Sequence, residues 1–474
     1  MVWGLFNLNW TRSIRRTMSY KPNNNERTPL LNGLNGESSN GNQNHILGDV
    51  HRERSAAFQF FFDSKHTPGN DSDNFVVRSL AYTWHVTKVT LLSNYVNFLL
   101  IMVPIGIVAG RLGWNSTAVF TINFFAIIPL AAVLSFATEE ISLKLGEALG
   151  GLLNATFGNA VELIVSIVAL RENQIEVVQS SMLGSILSNL LLVMGMCFLF
   201  GGLRHRGSTG AGTEQTFSAA VAQTTCSLMA LSSASLVIPA ALYGVLDQKN
   251  TDIGDKDRSI LVLSRGTAII LLVLYAMYLI FQLRTHSNLF DPEDPLTADG
   301  EEPEEPTLGP IAATAVLVVV TVLVAICADY LVGSIDDLVE SANISKAFIG
   351  LILIPIVGNA AEHVTAVVVA LRNKMDLAMG VAIGSSIQIA LGVTPFLVIV
   401  GWIIGRDMTL HFETFETVAF AVSVLVVTYT VQDGKSNYLE GAMLLGLYII
   451  IAVAFFATPG DFLDKATDLI SGSN

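Results

Sequence analysis

The chain of 474 residues is 51% hydrophobic and only 14% charged, with a formal net charge of −14. Soluble domains carry about 25% charged residues, so this composition excludes a water-soluble protein. Long charge-poor runs recur along the chain and predict an all-α polytopic membrane protein. The negative net charge argues against nucleic acid as a partner.

The first predicted element is a tail at residues 1–90, which is rich in Asn, Gly, Ser and Arg without a sustained apolar period. This composition is typical of a largely disordered segment, with a short amphipathic piece near Phe58–Phe62. The tail contains Glu26–Leu31 (ERTPLL), which fits the acidic dileucine pattern read by sorting adaptors for vacuoles and lysosomes. The alternative is a chance match, because short motifs are frequent in disordered tails.

Eleven apolar runs follow, each near or above the roughly 20 residues that a helix needs to cross the hydrocarbon core. Lipid-exposed backbone must satisfy its own hydrogen bonds, so the runs are predicted to be transmembrane helices. The odd count places the termini on opposite sides, and Arg78 and Lys88 favour a cytosolic N-terminus. The runs lie near 91–110, 117–137, 147–170, 176–200, 216–245, 259–283, 308–333, 346–371, 376–404, 413–431 and 438–458.

An internal repeat connects the two parts of this series. The segment GNAVELIVSIVALR at 158–171 matches GNAAEHVTAVVVALR at 358–372, and a Gly-Ser pair follows each copy in the next run. The copies are about five runs apart, and an odd number of spans reverses the second copy in the membrane. We therefore expect two inverted five-helix repeats, as in secondary transporters. They cover 117–283 and 308–458, with 91–110 as an extra N-terminal helix and 459–474 as a C-terminal tail.

Residues 284–307, between the sixth and seventh runs, are predicted to form an acidic cytosolic linker or helix. Eight carboxylates fall within 15 residues without a Lys or Arg, so the segment repels itself and would attract divalent cations. It is either a solvated linker or an element that senses cytosolic cations. The carboxylates are Asp291, Glu293, Asp294, Asp299, Glu301, Glu302, Glu304 and Glu305.

Glu162 and Glu362 stand at equivalent positions in the two repeats, deep in apolar runs. A charge there costs about 3 kcal/mol on insertion scales, and no Lys or Arg is near either glutamate in the sequence. Two carboxylates brought together by a pseudo-two-fold axis repel each other unless they are protonated or bridged by a cation. The pair predicts a site filled alternately by protons and by a divalent cation, which would couple the two fluxes.

Oxygen-bearing side chains near the glutamates suit a hard cation such as Ca²⁺, which takes six to eight oxygen ligands. There is no Cys–His cluster to favour a soft metal, and no cofactor is expected. The alternative for each small polar residue is helix packing. The candidates are Asn159 and Asn359 before the glutamates, and Ser185, Ser188, Asn189, Ser385, Ser386 and Gln388 in the following runs.

Further titratable residues flank this predicted site. His363 follows Glu362, while the first copy has Leu163 there, so the histidine either tunes proton affinity or packs. Glu139 and Glu140 end the second run and Asp329 lies near the end of the seventh. These acids either relay protons and cations or mark the membrane boundary.

The repeats resemble the paired signature motifs of the calcium/proton exchangers, the vacuolar branch of the calcium/cation antiporter superfamily. PIVGNAAEHVTAV at 355–367 is especially similar to fungal and plant members. The resemblance implies ten core helices plus one, and antiport of cytosolic Ca²⁺ into an acidic vacuole against protons. It implies that Glu162 and Glu362 bind the cation and carry protons. It also implies accessory ligands at Asn159, Asn359, Ser385 and Gln388, and an acidic position at Glu139.

The predicted protein is thus a vacuolar, multi-pass secondary transporter rather than an enzyme, working by alternating access on Ca²⁺ and H⁺ in a lipid bilayer. Mn²⁺/H⁺ exchange and Na⁺-driven exchange are the alternatives within transport, because Mn²⁺ also accepts oxygen ligands. A cation channel and an intramembrane protease are further alternatives. The oligomeric state is left open.

Overall fold

A computed structural model of the chain covers the apolar region and the end of the N-terminal segment. The dileucine motif, Phe58–Phe62, the acidic block at 291–305 and the tail at 459–474 lie outside the described residues. The described residues are 67, 69, 72–145, 147–205, 214–248, 253–290, 306–342 and 344–457.

Helices dominate this part of the chain, with a single two-stranded ribbon, β1 (Gln215–Thr216) paired antiparallel with β2 (Lys435–Ser436). The all-α membrane architecture is confirmed. The helices are α1 (Phe75–Leu92), α2 (Tyr95–Arg111), α3 (Ser116–Leu145), α4 (Glu147–Phe157), α5 (Ala160–Arg171), α6 (Ile175–Arg204), α7 (Ala219–Gln248), α8 (Ile253–Ile280), α9 (Pro310–Gly333), α10 (Ile335–Ala342), α11 (Lys346–Gly358), α12 (Ala360–Leu371), α13 (Met375–Ile404), α14 (Thr414–Thr430) and α15 (Tyr438–Ala457).

The count of eleven spans is not confirmed. Among the described residues, seven helices are long and apolar enough to cross a membrane, and up to ten if each of three bent pairs crosses as one. The pairs α1–α2, α4–α5 and α10–α11 are bent by 112°, 44° and 117°. Breaks and short helices such as α12 and α14 explain the difference, since a hydropathy run does not show where a helix is interrupted.

Helix α1 corrects the prediction of a largely disordered tail up to residue 90. It begins after Asn74, whose side-chain oxygen accepts a hydrogen bond from the Val76 amide and caps the helix. The helix packs through Val89 against Leu308 and Phe136. The polar composition of the whole segment concealed this local apolar stretch, which gains its stability from tertiary contact rather than from propensity.

The two repeats share backbone features at equivalent positions, which lie 200 residues apart in the chain. A π-helical turn interrupts α6 at Ser188–Val193 and α13 at Gln388–Val393. Asn173 and Asn373, between the paired helices, both adopt a left-handed conformation, with φ of 62° and 63°. The repeated sequence therefore encodes these two irregular features in both halves, whereas the π-helical turn of α11 at Ile349–Leu353 has no counterpart in α4.

Helices α3 and α9, which open the two repeats, run in opposite directions. The start of α3 meets the segment after α9, because Ser116 Oγ lies 2.5 Å from Asp337 Oδ2. The end of α3 meets the start of α9, because the Leu308 amide donates to Glu140 Oε2 at 2.7 Å. This antiparallel packing agrees with inverted repeats and defines two ends of the molecule. The Glu140 face is the end where α3 ends and α9 begins. The Arg171 face is the opposite end, where Arg171 pairs with Asp329 near the end of α9.

Candidate functional site

The two predicted carboxylates lie where the helices are interrupted. Asn159 separates α4 from α5 and Asn359 separates α11 from α12, each with backbone angles outside the helical region. Glu162 and Glu362 follow in the first turn of α5 and α12 and are only 5% and 8% exposed. Each carboxylate thus lies beside an N-terminal helix end, where the peptide dipoles favour negative charge.

The carboxylates approach each other across the repeat interface. Glu162 is close enough to Glu362 for an electrostatic interaction. Glu162 also lies against the backbone of the other repeat, because a Cβ on Gly358 would stand 2.7 Å from Glu162 Oε1. Gly358, which precedes the second break, therefore makes room for Glu162 of the opposite half.

Each glutamate retains a buried oxygen without a hydrogen-bond partner among the described residues, Oε1 of Glu162 and Oε2 of Glu362. Neither carboxylate interacts with a Lys or Arg in this part of the chain. Buried polar atoms are normally paired, and two buried anions without a cation are strongly unfavourable. The pair is chemically suited to bind protons or a metal cation.

A hydrogen-bonded network surrounds one side of the pair. Asn159 Nδ2 donates to Gln388 Oε1 at 2.7 Å, and Ser385 Oγ donates to Asn159 Oδ1 at 2.9 Å. Asn189 Nδ2 donates to Ser385 Oγ at 3.1 Å, and Ser385 lies close enough to Glu362 to interact with it. The break before α5 and the helices α6 and α13 are thereby held together beside the carboxylates.

The other side of the pair differs, although the backbone repeats. Ser188, which occupies the position equivalent to Gln388, is 3.1 Å from His363 Nε2 in a hydrogen bond. Both amide atoms of Asn359 are then left without a partner among the described residues. Because Leu163 replaces the histidine in the first repeat, the network is asymmetric, and Asn359 Oδ1 is an oxygen available to a ligand.

The structure brings together most but not all of the predicted site residues. Ser185 is buried in α6, but no hydrogen bond connects it to the glutamates among the described residues. Glu139 is buried near the end of α3, and its neighbour Glu140 accepts hydrogen bonds of 2.7 Å from Thr307 Oγ1 and the Leu308 amide. Asp329 forms an exposed ion pair of 2.5 Å with Arg171.

One buried carboxylate was missed by the sequence reasoning. Glu416 in the first turn of α14 is 3% exposed and accepts a hydrogen bond of 2.8 Å from Ser180 Oγ. The signal was an acid inside the predicted run at 413–431, but it lacks a counterpart in the other repeat. The predicted cation-sensing residues at 291–305 lie outside the described residues, so the structure does not place them.

No group of three or more His, Cys, Asp or Glu side chains that could hold a metal lies in the part of the chain that the structure describes. From the described residues, a cation at the glutamate pair would therefore have two carboxylates at most, with amides, hydroxyls, carbonyls and water as its remaining ligands. Such an all-oxygen set suits Ca²⁺ and other hard cations.

The chain is similar to known calcium transporters and antiporters. A vacuolar calcium ion transporter of Schizosaccharomyces pombe is 52% identical over 394 residues, covering 82% of this chain and 92% of that protein. A Ca²⁺/H⁺ antiporter of Aphanothece halophytica is 44% identical over 372 residues, covering 76% and 96%. The crystal structure of the Ca²⁺/H⁺ antiporter protein YfkE matches with a TM-score of 0.62 and 36% identity, covering 76% of this chain and 99% of that one.

A family profile for the sodium/calcium exchanger proteins matches residues 115–284 and 312–457. These two stretches contain both copies of the repeat, both glutamates and the asparagines before them. The chain belongs to the sodium/calcium exchanger protein family.

Proposed function

We propose that the chain exchanges cytosolic Ca²⁺ for protons of an acidic vacuole. The carrying observation is the pair of buried glutamates, each with an unpartnered oxygen and neither accompanied by a Lys or Arg among the described residues. The names of the relatives, a vacuolar calcium ion transporter and a Ca²⁺/H⁺ antiporter, support this choice of ions and membrane. Membership of an exchanger family makes the chain a transporter and not an enzyme.

In the Ca²⁺-bound state, Glu162 and Glu362 are ionised and bind the ion through their unpartnered oxygens. Asn359 Oδ1 is the first accessory ligand, because its amide has no other partner in the described structure. Asn159, Gln388 and Ser385 stabilise the opposite side of the site as a network, and water completes the coordination.

In the proton-bound state, both carboxyl groups are neutral and the divalent ion is released. Protons and Ca²⁺ compete for the same oxygens, so one site cannot hold both, and the fluxes are coupled. A ligand shifts a conformational equilibrium only through its different affinity for the two states. Neutralisation of the buried pair by either ligand provides that difference and allows the site to open to the opposite side.

The Glu140 face is the cytosolic face in this proposal. The acidic segment leads into Thr307 and Leu308 at that face, and Arg78 and Lys88 of α1 carry the positive charge expected on the cytosolic side. The Arg171 face then meets the vacuolar lumen, where a low pH favours release of Ca²⁺. Glu139, which lies towards the cytosolic face, is placed to guide cations to the site.

The test is Ca²⁺ uptake into acid-inside vesicles that contain the purified protein, with and without a protonophore. We expect uptake to collapse with the protonophore, and Glu162→Gln and Glu362→Gln each to reduce it at least a hundredfold. Glu440→Gln serves as the matched control, because the charged groups that interact with Glu440 on α15 are Asp433 and Glu214 rather than the pair. Uptake that survives loss of the pH gradient contradicts proton coupling, and wild-type uptake by Glu162→Gln or Glu362→Gln contradicts the assigned site.

The same vesicles separate the alternatives within transport. A Na⁺ gradient that drives uptake without a pH gradient would identify Na⁺-linked exchange. Competition of Mn²⁺ with radioactive Ca²⁺ would rank the two cations, both of which accept oxygen ligands. A current without any counter-ion gradient would identify a channel.

A further inference from the structure

Glu416 is a buried carboxylate that the exchange site does not use. It lies at the Arg171 face in the first turn of α14 and is 3% exposed. Its partner Ser180 stands on α6, five residues before Ser185, which is about 7.5 Å along the helix axis. Glu416 is therefore separate from the central pair and closer to the membrane surface.

The charged groups around Glu416 do not neutralise it as an anion. Those that interact with it are Glu413 and Glu176, and both are negative. From α11, Gly350 packs on the Ser180 side chain. The basic residue of that helix, Lys346, forms an ion pair of 2.6 Å with Asp336 instead. A carboxylate buried among anions takes up a proton or a cation.

The hydrogen bonds of Ser180 accommodate both charge states of Glu416. Ser180 Oγ is 2.7 Å from the Glu176 carbonyl oxygen and 2.8 Å from Glu416 Oε1, and the hydroxyl has one proton. When Glu416 is ionised, the hydroxyl donates to it. When Glu416 is protonated, it donates to Ser180 Oγ, and the hydroxyl donates to the carbonyl. Rotation of one hydroxyl permits the change without movement of the backbone.

The other repeat lacks this arrangement. The position equivalent to Ser180, in the register of 200 residues, is Gly380, and a Cβ added there would meet no atom within 4 Å. Gly380 instead lines a cleft together with Ser218 and Asp376. The buried pair of a serine and a glutamate at the Arg171 face thus has no equivalent at the repeat-related position in the other half.

We propose that Glu416 binds a proton from the Arg171 face, as a second proton site separate from Glu162 and Glu362. Glu176 is exposed and Glu413 is half-buried, so these acids form a negatively charged approach from the surface. The identity of that face as the acidic lumen rests on the proposed function, whereas proton binding by Glu416 does not.

The test is infrared difference spectroscopy of the purified full-length protein from about pH 4 to about pH 9. We expect the C=O band of one protonated carboxyl group to appear at acidic pH, to vanish at alkaline pH and to be missing in Glu416→Gln. The band should remain in Glu162→Gln, and Ser180→Ala should shift its titration. Size-exclusion chromatography checks that each variant is folded.

Two results would overturn the proposal. A spectrum of Glu416→Gln that equals the wild type at every pH shows that Glu416 never binds a proton. A Glu416 band that persists unchanged to alkaline pH shows a permanently protonated packing group. Both results are independent of Ca²⁺ uptake, so the proposed function can fail in the vesicle assay while Glu416 is confirmed, or the reverse.

Discussion

At the scale of single residues, the site depends on which polar atoms are paired and which are left free. Asn159 is bonded through both amide atoms, whereas the equivalent Asn359 is bonded through neither. His363 causes the difference, because it is hydrogen-bonded to Ser188. Ser188 occupies the position that Gln388 has in the other half. Two residues that a repeat alignment treats as the same therefore have different roles.

This asymmetry predicts opposite consequences for the two asparagines. Asn159→Ala leaves Gln388 and Ser385 without their partner and should destabilise the protein by about 1–3 kcal/mol. Asn359→Ala breaks no hydrogen bond, so we expect near wild-type stability and a Ca²⁺ affinity at least fivefold lower. Thermal unfolding and equilibrium Ca²⁺ binding measure the two effects. Equal effects of both substitutions on both quantities would show that the site is symmetric.

Gly358 gives a second residue-scale prediction. A Cβ at this position would stand 2.7 Å from Glu162 Oε1, which is closer than van der Waals contact permits. Gly358→Ala should displace the carboxylate and reduce Ca²⁺ affinity at least fivefold in equilibrium binding. Gly446→Ala is the control, because an added Cβ meets no atom within 4 Å there. An unchanged affinity of Gly358→Ala would place the bound ion elsewhere.

At the scale of elements, the junction of α3 and α9 is closed by a carboxylate. Glu140 accepts hydrogen bonds from the side chain of Thr307 and the backbone of Leu308, just before α9 begins. Val89 of α1 packs on Leu308 in the same place. Three elements that are distant in sequence thus meet where the acidic segment joins the membrane helices.

Substitution of Glu140 should weaken this junction more than loss of Thr307 alone. Glu140→Ala removes two hydrogen bonds and leaves a buried amide unpaired, and bonds to charged groups contribute about 1.5–3 kcal/mol each. Thr307→Ala removes one bond only and keeps the Leu308 contact. Thermal unfolding of both variants should give the larger loss for Glu140→Ala. A larger loss for Thr307→Ala would contradict the role of the backbone contact.

The sequence predicted the elements better than their interruptions and contacts. Apolar runs indicated the helices, and the repeated Gly-Asn-Ala-x-Glu indicated the pair Glu162 and Glu362, because both are local patterns. Helix α1 was missed because its stability comes from contact with Leu308. The pairing of His363 with Ser188 joins residues 175 positions apart, and no local pattern reveals which of two amides such a contact leaves free.

At the scale of the whole molecule, the two faces differ in their titratable groups. The Arg171 face has the exposed pair Arg171–Asp329, the buried Glu416 and, in the connection between α13 and α14, His411. The ring of His411 stacks on Tyr243 at 4.3 Å. Partial burial lowers the pKa of His411, and the charge of Asp257 opposes this shift.

The lowered pKa of His411 predicts how stability depends on pH. The folded state prefers the neutral ring, so its stabilising contribution is complete above the unfolded pKa of about 6.5 and is lost as the pH falls through the lower folded value. His411→Phe keeps an aromatic ring on Tyr243 but cannot titrate. Thermal unfolding at about pH 7.5 and about pH 5 should show a smaller acid-induced loss in this variant. An unchanged loss would assign the effect to other groups.

The antiparallel contact of α3 and α9 joins helices from different repeats. Neither half can build the ion site alone, since Glu162 rests on Gly358 and Asn159 bonds Gln388. The geometry of the site therefore requires that the two halves bind each other, as the two subunits of a heterodimer do. Co-expression of fragments 1–290 and 306–474 should restore a working exchanger that neither fragment provides by itself.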